Sequence, residues 1–162
     1  MRLTLDTHCL TALQNGGDEA VPIRALIDLH RAGTIQVFVS AIPASVEIRD
    51  IKDLPSVLPA GRYEMSFWGA AVYGSDKDDL AAKIKSIVDS TVDTLTLKRT
   101  SKDLPPDIDG LAAHIRSGHD IFVTGDEHFL RNARRNPLLT LGAKAILTPE
   151  QALAKVADKG LR

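Results

Sequence analysis

The chain has a single cysteine, Cys9, so a disulfide within it is excluded. It contains no apolar run of about 18 residues, so we expect no membrane-spanning helix. The amino end carries Asp6 and His8 and lacks the apolar stretch of a signal peptide, so we expect a cytoplasmic protein. Neither charge dominates, because 20 Lys and Arg stand against 21 Asp and Glu. Contact with nucleic acid would therefore need a local basic patch.

Several common site motifs are also missing from the sequence. Its five histidines do not form a pair at the i, i+4 spacing that is typical of zinc sites. No serine lies in a nucleophile-elbow motif, and no glycine-rich phosphate loop is present. His8 and Cys9, next to Asp6, stay an alternative pair of metal ligands, although Cys9 also suits a small buried residue.

The pattern of the 162 residues predicts one domain in which strands and helices alternate. This order indicates a mainly parallel sheet with helices on both faces, which is a three-layer α/β fold. The stretch from Leu54 to Gly74, rich in proline and glycine, predicts an irregular or partly helical excursion that extends with the next helix to about residue 90. The predicted strands are Arg2–Leu5, Ile35–Ser40, Thr94–Leu97, Ile121–Thr124 and Ala143–Leu147, and the predicted helices are Pro22–Arg31, Pro43–Asp50, Asp76–Ser90, Asp107–Gly118, Glu127–Arg135 and one that begins at Pro149.

Four acidic residues follow or adjoin these strands. Asp6 and Asp126 lie just past the carboxyl ends of two predicted strands. Glu47 lies one turn into the helix after the second strand, and Asp107 opens the helix that leads into a later strand. Ligands of such sheets bind in the crevice beyond the carboxyl ends of the strands, so we expect the four acids to meet there.

Clustered carboxylates repel each other, and a hard divalent cation can offset that repulsion. Mg²⁺ and Mn²⁺ prefer oxygen ligands and keep several waters. Two such ions about 3.5–4 Å apart can activate water and stabilise the oxygens of a phosphodiester. The sequence therefore favours metal-dependent hydrolysis of phosphodiesters at this edge of the sheet.

Each acid also has a purely structural interpretation. Asp107 and Asp126 suit the N-caps of the helices that follow them. Asp6 suits a turn after its strand, and Glu47 suits the solvated side of a helix. Only the expected meeting of all four at one crevice raises the functional interpretation above these alternatives.

The chain resembles the PIN-domain ribonucleases over most of its length. Leu5-Asp6-Thr7 is similar to the opening strand and first acid of that family. The segment from Gly118 to Leu130, GHDIFVTGDEHFL, is similar to its late strand, Thr-x-Asp motif and following helix. Asp107 precedes Asp120 by 13 residues, as the third acid of the family does, and Ile146 to Glu150 resembles its closing strand and last helix.

This resemblance implies a PIN-like fold that hydrolyses RNA with Mg²⁺ or Mn²⁺. It implies that Asp6, Asp107 and Asp126 are metal ligands and that Glu47 is the helix-borne glutamate, with Glu64 left open as the alternative to Glu47. It also implies that Thr124 hydrogen-bonds within the site to position the acids, and that Thr7 does the same near Asp6. Many members of the family are toxins of toxin–antitoxin pairs, which implies an antitoxin partner and a homodimer.

Other features admit two interpretations. Arg131, Arg134 and Arg135 could hold the RNA backbone beside the acids or form a solvated face. The aromatic residues Phe67, Trp68 and Tyr73 could stack on bases, but we favour packing for them.

Two rival functions stay open. One is a PIN-like scaffold without efficient metal binding, which binds protein or RNA. The other is a phosphohydrolase whose nucleophile is Asp6; His8 stands where the usual second aspartate would be.

Overall fold

A computed structural model describes residues 1–40, 51, 53–56, 76–90 and 108–160. Its four strands form one sheet in which every neighbouring pair is parallel. The strand order is β2-β1-β3-β4, so β1 and β3 lie in the centre. The strands are β1 (Arg2–Leu5), β2 (Gln36–Val39), β3 (Ile121–Val123) and β4 (Ile146–Leu147).

Seven helices accompany the strands in the described part of the chain. Each of the first two ends at a glycine-rich turn, and Gly33 after the second has a φ of 74°, which a side chain with a Cβ rarely adopts. The helices are α1 (Thr7–Asn15), α2 (Ala20–Arg31), α3 (Asp76–Ser90), α4 (Ile108–Ser117), α5 (Glu127–Leu130), α6 (Asn132–Thr140) and α7 (Pro149–Gly160).

The helices pack in two groups that cover different faces of the sheet. Side chains alternate along β3, so Ile121 and Val123 join one apolar cluster while Phe122 joins the other. The first cluster includes residues of α1, α2 and α7, and the second includes residues of α3, α4, α5 and α6. This arrangement confirms the α/β class and the parallel sheet among the described strands.

Most of the predicted elements that fall on described residues are present. Helix α3 has the predicted bounds, and Gly118 ends α4 with a φ of 62°. The predicted strand Ala143–Leu147 is shorter, because only Ile146–Leu147 pairs with β3. The predictions at Pro43–Asp50 and Thr94–Leu97, and nearly all of the excursion up to Gly74, lie outside the described residues.

Two helix predictions were wrong. The sequence reading placed no helix after Asp6, yet α1 begins directly at Thr7. It also placed one helix over Glu127–Arg135, whereas Arg131 is extended with a ψ of 130° and separates α5 from α6. Pro137 was expected to end that helix, but α6 continues past it to Thr140.

The strand order creates a switch point between β1 and β3. The chain leaves β1 towards β2 on one side, and later places β3 on the other side of β1. The connections diverge there, which opens a crevice beyond the carboxyl ends of these two strands. Asp6 follows β1, and Thr124 to Asp126 follow β3, so both segments border this crevice.

None of the helices in the described ranges has both the length and the apolar character needed to cross a bilayer.

Candidate active site at the carboxyl ends of β1 and β3

Asp6 ends β1 and begins α1. Its backbone is extended, and its Oδ1 accepts a hydrogen bond of 2.9 Å from the backbone N–H of Cys9, which is an N-cap. Its own N–H donates to the carbonyl of Val123 at 3.1 Å, which ties the end of β1 to that of β3. The residue is only 1% exposed. The carboxylate is therefore held in one orientation at the switch point.

Asp126 has the same role after β3. Its Oδ1 accepts from the backbone N–H of His128 at 2.8 Å and caps α5. Its Oδ2 has no hydrogen-bond partner among the described residues, and the side chain is only partly buried. One oxygen of Asp126 is thus fixed by the helix end while the other is available to a ligand.

Thr124 joins the two acids. Its buried hydroxyl donates to Asp6 Oδ2 and accepts from the backbone N–H of Asp126 at 2.9 Å. A hydroxyl has one proton to donate and two lone pairs, so both bonds can form together. The hydroxyl fixes the turn that carries Asp126 relative to the Asp6 carboxylate.

The structure thus brings Asp6, Thr124 and Asp126 together. Glu47, Glu64 and Asp107 lie outside the described residues. Within the described ranges, no three His, Cys, Asp or Glu side chains form a group that could hold a metal ion. Thr7, the first residue of α1, follows Asp6 directly, and its carbonyl accepts a hydrogen bond from Thr11.

The chemistry of this acid pair is compatible with a hard cation. A carboxylate offers about four lone-pair sites, and the hydrogen bonds above occupy one on each of two oxygens of Asp6 and one on Asp126. Asp126 Oδ2 has no partner among the described residues, so this oxygen is open to a cation. Oxygen ligands of this kind are those that Mg²⁺ and Mn²⁺ prefer.

Cys9 does not fit the alternative metal pair with His8. Its thiol donates to the carbonyl of Val123 at 3.3 Å. Burial raises the pKa of Cys9 well above its usual value, and the nearby negative Asp6 raises it further. Buried and hydrogen-bonded to a backbone carbonyl, Cys9 serves as a small wall residue.

The three arginines after Asp126 do not form one exposed face. Arg134 is 5% exposed, and its guanidinium donates to His128 Nδ1 at 2.7 Å. Arg131 is exposed and pairs with Glu127 at 3.1 Å, whereas Arg135 is half-buried. Contact with an RNA phosphate needs an accessible side chain. Binding of the RNA backbone therefore stays a prediction for Arg131 and Arg135. The burial of Arg134 argues against such a contact by this residue.

The sequence reading missed a second hydroxyl-centred cluster. Thr4, in the middle of β1, lies 2.8 Å from His119 Nδ1 and 3.0 Å from His114 Nδ1 through its Oγ1. All three side chains are buried. His114 Nε2 has no hydrogen-bond partner within the described ranges.

Both histidines of this cluster resist protonation. Burial, followed by the neighbouring His119 and Lys144, lowers the pKa of His114 to about 3. Burial and then the charge of Arg2 lower the pKa of His119. The pair is therefore neutral at ordinary pH and belongs to the core. No sequence signal identified the cluster, because Thr4 lies more than 100 residues from both histidines.

Comparison of the chain with protein-family models, with curated proteins and with solved structures finds no match.

Proposed function

We propose that this protein is a metal-dependent ribonuclease of the PIN-domain type, with a three-layer PIN-like fold. The observation that carries the proposal is the Asp6–Thr124–Asp126 linkage at the switch point of a parallel sheet. One hydroxyl bonds the carboxylate of Asp6 and the backbone N–H of Asp126, in the crevice where such sheets bind ligands, and this arrangement is a suitable start for a cation site. Thr124 and Asp126, the two members of this linkage that follow β3, form the Thr-x-Asp motif of the resemblance.

In this proposal, Asp6 and Asp126 hold the ions, and Asp126 does so through the Oδ2 that its helix cap leaves without a described partner. Glu47 and Asp107 complete the set by resemblance. Mg²⁺ or Mn²⁺ at this position would supply an activated water and charge stabilisation for the oxygens of an RNA phosphodiester. Thr124 is a positioning residue, because it contacts the acids and holds their relative orientation.

The test is an RNA cleavage assay with Mg²⁺ or Mn²⁺, with and without chelator. The variants Asp6→Asn and Asp126→Asn remove one charge each but keep a good N-cap, since asparagine caps helices about as well as aspartate. Asp158→Asn, an exposed residue of α7, is the matched control. Cleavage that needs the metal and disappears in both site variants but not in the control supports the proposal; cleavage that survives in both contradicts it.

A non-catalytic scaffold is the second candidate, and the capping geometry favours it. Asp6 caps α1, and Asp126 caps α5. These structural roles would explain the presence of both acids without a metal. The two functions separate on the same Asn variants, because capping survives the change and metal binding does not. If neither the parent nor the two Asn variants bind Mn²⁺, and all three bind RNA or a protein equally well, the scaffold function is favoured.

The toxin role, an antitoxin partner and a homodimer are further parts of the proposal, and they rest on the resemblance alone. A short neighbouring gene for a DNA-binding protein would support the toxin role. Co-expression of that gene product, followed by loss of RNA cleavage, would identify the antitoxin.

A further inference from the structure

A small recess adjoins the acid pair on the side of α1, α2 and α7. Its volume is about 140 Å³. Sites for whole cofactors or drug-sized ligands usually measure roughly 300–1,000 Å³, so this recess suits one ring system only. Its lining includes Gly125, the residue between Thr124 and Asp126, so it opens directly beside the proposed site.

The walls of the recess are apolar. Cys9, Ala12, Ile23 and Pro149 line it, and all four are buried. Cys9 adds no free polar group, because its thiol already donates to Val123. Such walls favour a flat group with apolar faces, and not a phosphate or a sugar.

A histidine ring stands at the edge of the recess. A Cβ added at Gly125 would lie 2.7 Å from His8 Nδ1, so the imidazole rests against the backbone of the turn that carries Asp126. His8 is exposed and makes no hydrogen bond to another described residue. Exposed aromatic rings, histidine among them, are surfaces on which splayed-out RNA bases stack.

The charged groups at the rim are hydrogen-bond acceptors. Glu19 and Glu150 line the recess, and neither carboxylate makes a hydrogen bond or ion pair with another described residue. The hydroxyl of Thr148, which also lines the recess, accepts from Gln151 N–H at 3.3 Å in a capping box and carries no charge. Ionised carboxylates only accept hydrogen bonds, so the ligand edge that fits must donate.

We propose that this recess binds the base of the nucleotide next to the cleaved phosphate and selects bases that carry an exocyclic amino group. Adenine, cytosine and guanine present such donors, whereas uracil presents two carbonyl oxygens around a single N–H. The carbonyl oxygens would face Glu19 and Glu150 and be repelled. The inference rests on the proposed ribonuclease function for its biological meaning, but the recess itself can be tested without cleavage.

The first experiment uses nucleosides, which have no phosphate and so need no metal. Adenosine, cytidine, guanosine and uridine are titrated separately into the full-length protein, with backbone amide NMR shifts as the readout. We expect shifts at Gly125, Ala12 and Glu150, with uridine needing roughly 10-fold higher concentration because hydrogen bonds to charged acceptors are lost. Equal saturation by uridine, or shifts confined to other parts of the chain, would overturn the inference.

Two pairs of variants, each of which removes one negative charge, test the role of the rim carboxylates. Glu19→Gln and Glu150→Gln keep the shape of the side chains and add a donor, so they should reduce the discrimination between amino-bearing nucleosides and uridine several-fold. Asp18→Asn and Asp158→Asn, two exposed acids that do not line the recess, should leave it unchanged. Unaltered discrimination in both Glu→Gln variants would contradict the assigned role of the carboxylates.

The second experiment separates this inference from the ribonuclease proposal. Oligouridines with one central adenine, cytosine, guanine or uracil are incubated with Mn²⁺, and cleavage sites are mapped. Cleavage next to amino-bearing bases supports both proposals. Cleavage without base preference overturns the proposed base selectivity of the recess but not the ribonuclease proposal. Selective nucleoside binding without any cleavage supports the recess and contradicts the nuclease.

Discussion

Two threonines of the central strands have the same chemical role in different places. Thr124, just past β3, holds two carboxyl-bearing residues together at the crevice. Thr4, in the middle of β1, lies between two imidazoles inside the core. Both hydroxyls are buried, so each relies on its partners for hydrogen bonds.

The difference lies in what the partners can still do. Asp126 keeps an oxygen without a described partner at the edge of the sheet, whereas the two histidines are buried and held neutral. A cluster beyond the carboxyl ends of parallel strands can meet a ligand, but a cluster within a strand can only stabilise the fold. The comparison therefore predicts functional losses at Thr124 and its acids, and stability losses at Thr4 and its histidines.

The largest effect is expected at the acids. Asp126→Asn and Asp6→Asn should each lower RNA cleavage by more than the ~100-fold that outer-shell changes around metals reach. The stability of Asp126→Asn should stay close to that of the parent because the N-cap persists, whereas Asp6→Asn also loses the acceptor of the buried Thr124 hydroxyl and should be less stable by about 1–3 kcal/mol. Cleavage rates in Mn²⁺, together with urea unfolding of the same samples, check both parts.

Thr124→Val should have the next largest effect on function. The variant keeps the shape of the residue but removes the hydroxyl that fixes Asp6 and Asp126, so cleavage should fall by roughly 10–100-fold. Thr124→Ser keeps a hydroxyl and should retain most of the activity. If the valine variant cleaves as fast as the serine variant, the hydroxyl does not position the acids.

Thr4→Val should affect stability and not function. It leaves two buried imidazole nitrogens without their partner, which should lower the free energy of unfolding by about 1–3 kcal/mol. Thr4→Ser restores the hydroxyl and is the control. Urea unfolding measures the loss, and cleavage per folded molecule should match the parent; a large loss of cleavage per folded molecule would break the distinction between the two threonines.

The histidine cluster also predicts a pH dependence of stability. The pKa of His114 is lowered in the folded state, so the unfolded chain binds more protons at mildly acidic pH. Its contribution is complete above the unfolded pKa of about 6.5 and is lost progressively as the pH falls towards about 3.

His114→Phe should therefore reduce the stability lost between pH 7 and pH 5 by about 1–2 kcal/mol. Urea unfolding at the two pH values measures the difference. An equal loss in the parent and in His114→Phe would show that this cluster does not titrate as described.

The sequence predicts the framework better than the details. Apolar runs and turn residues locate the four described strands and α3, because their periodicity is local. Helix α1 was not predicted, although Asp6, Leu10 and Leu13 have helical spacing. Asp6 was interpreted as a residue at the end of a strand, and its second role as the N-cap of α1 was not considered. The break at Arg131 has no proline or glycine to mark it.

Long-range contacts set the limit on predicting the site. The meeting of Asp6 and Asp126 could be inferred because both follow strands, and parallel strands place their carboxyl ends at one edge. The Thr4 cluster and the contact between His8 and Gly125 could not be inferred, since they depend on strand register and side-chain packing between distant segments.

The most direct test of the central claim is a calorimetric titration of the metal-free protein with Mn²⁺, for the parent and for Asp6→Asn, Asp126→Asn and Asp158→Asn. The account predicts saturable binding to the parent and to Asp158→Asn, and weak or undetectable binding to the other two variants. Absence of saturable binding to the parent, or equal binding to all four proteins, would contradict it.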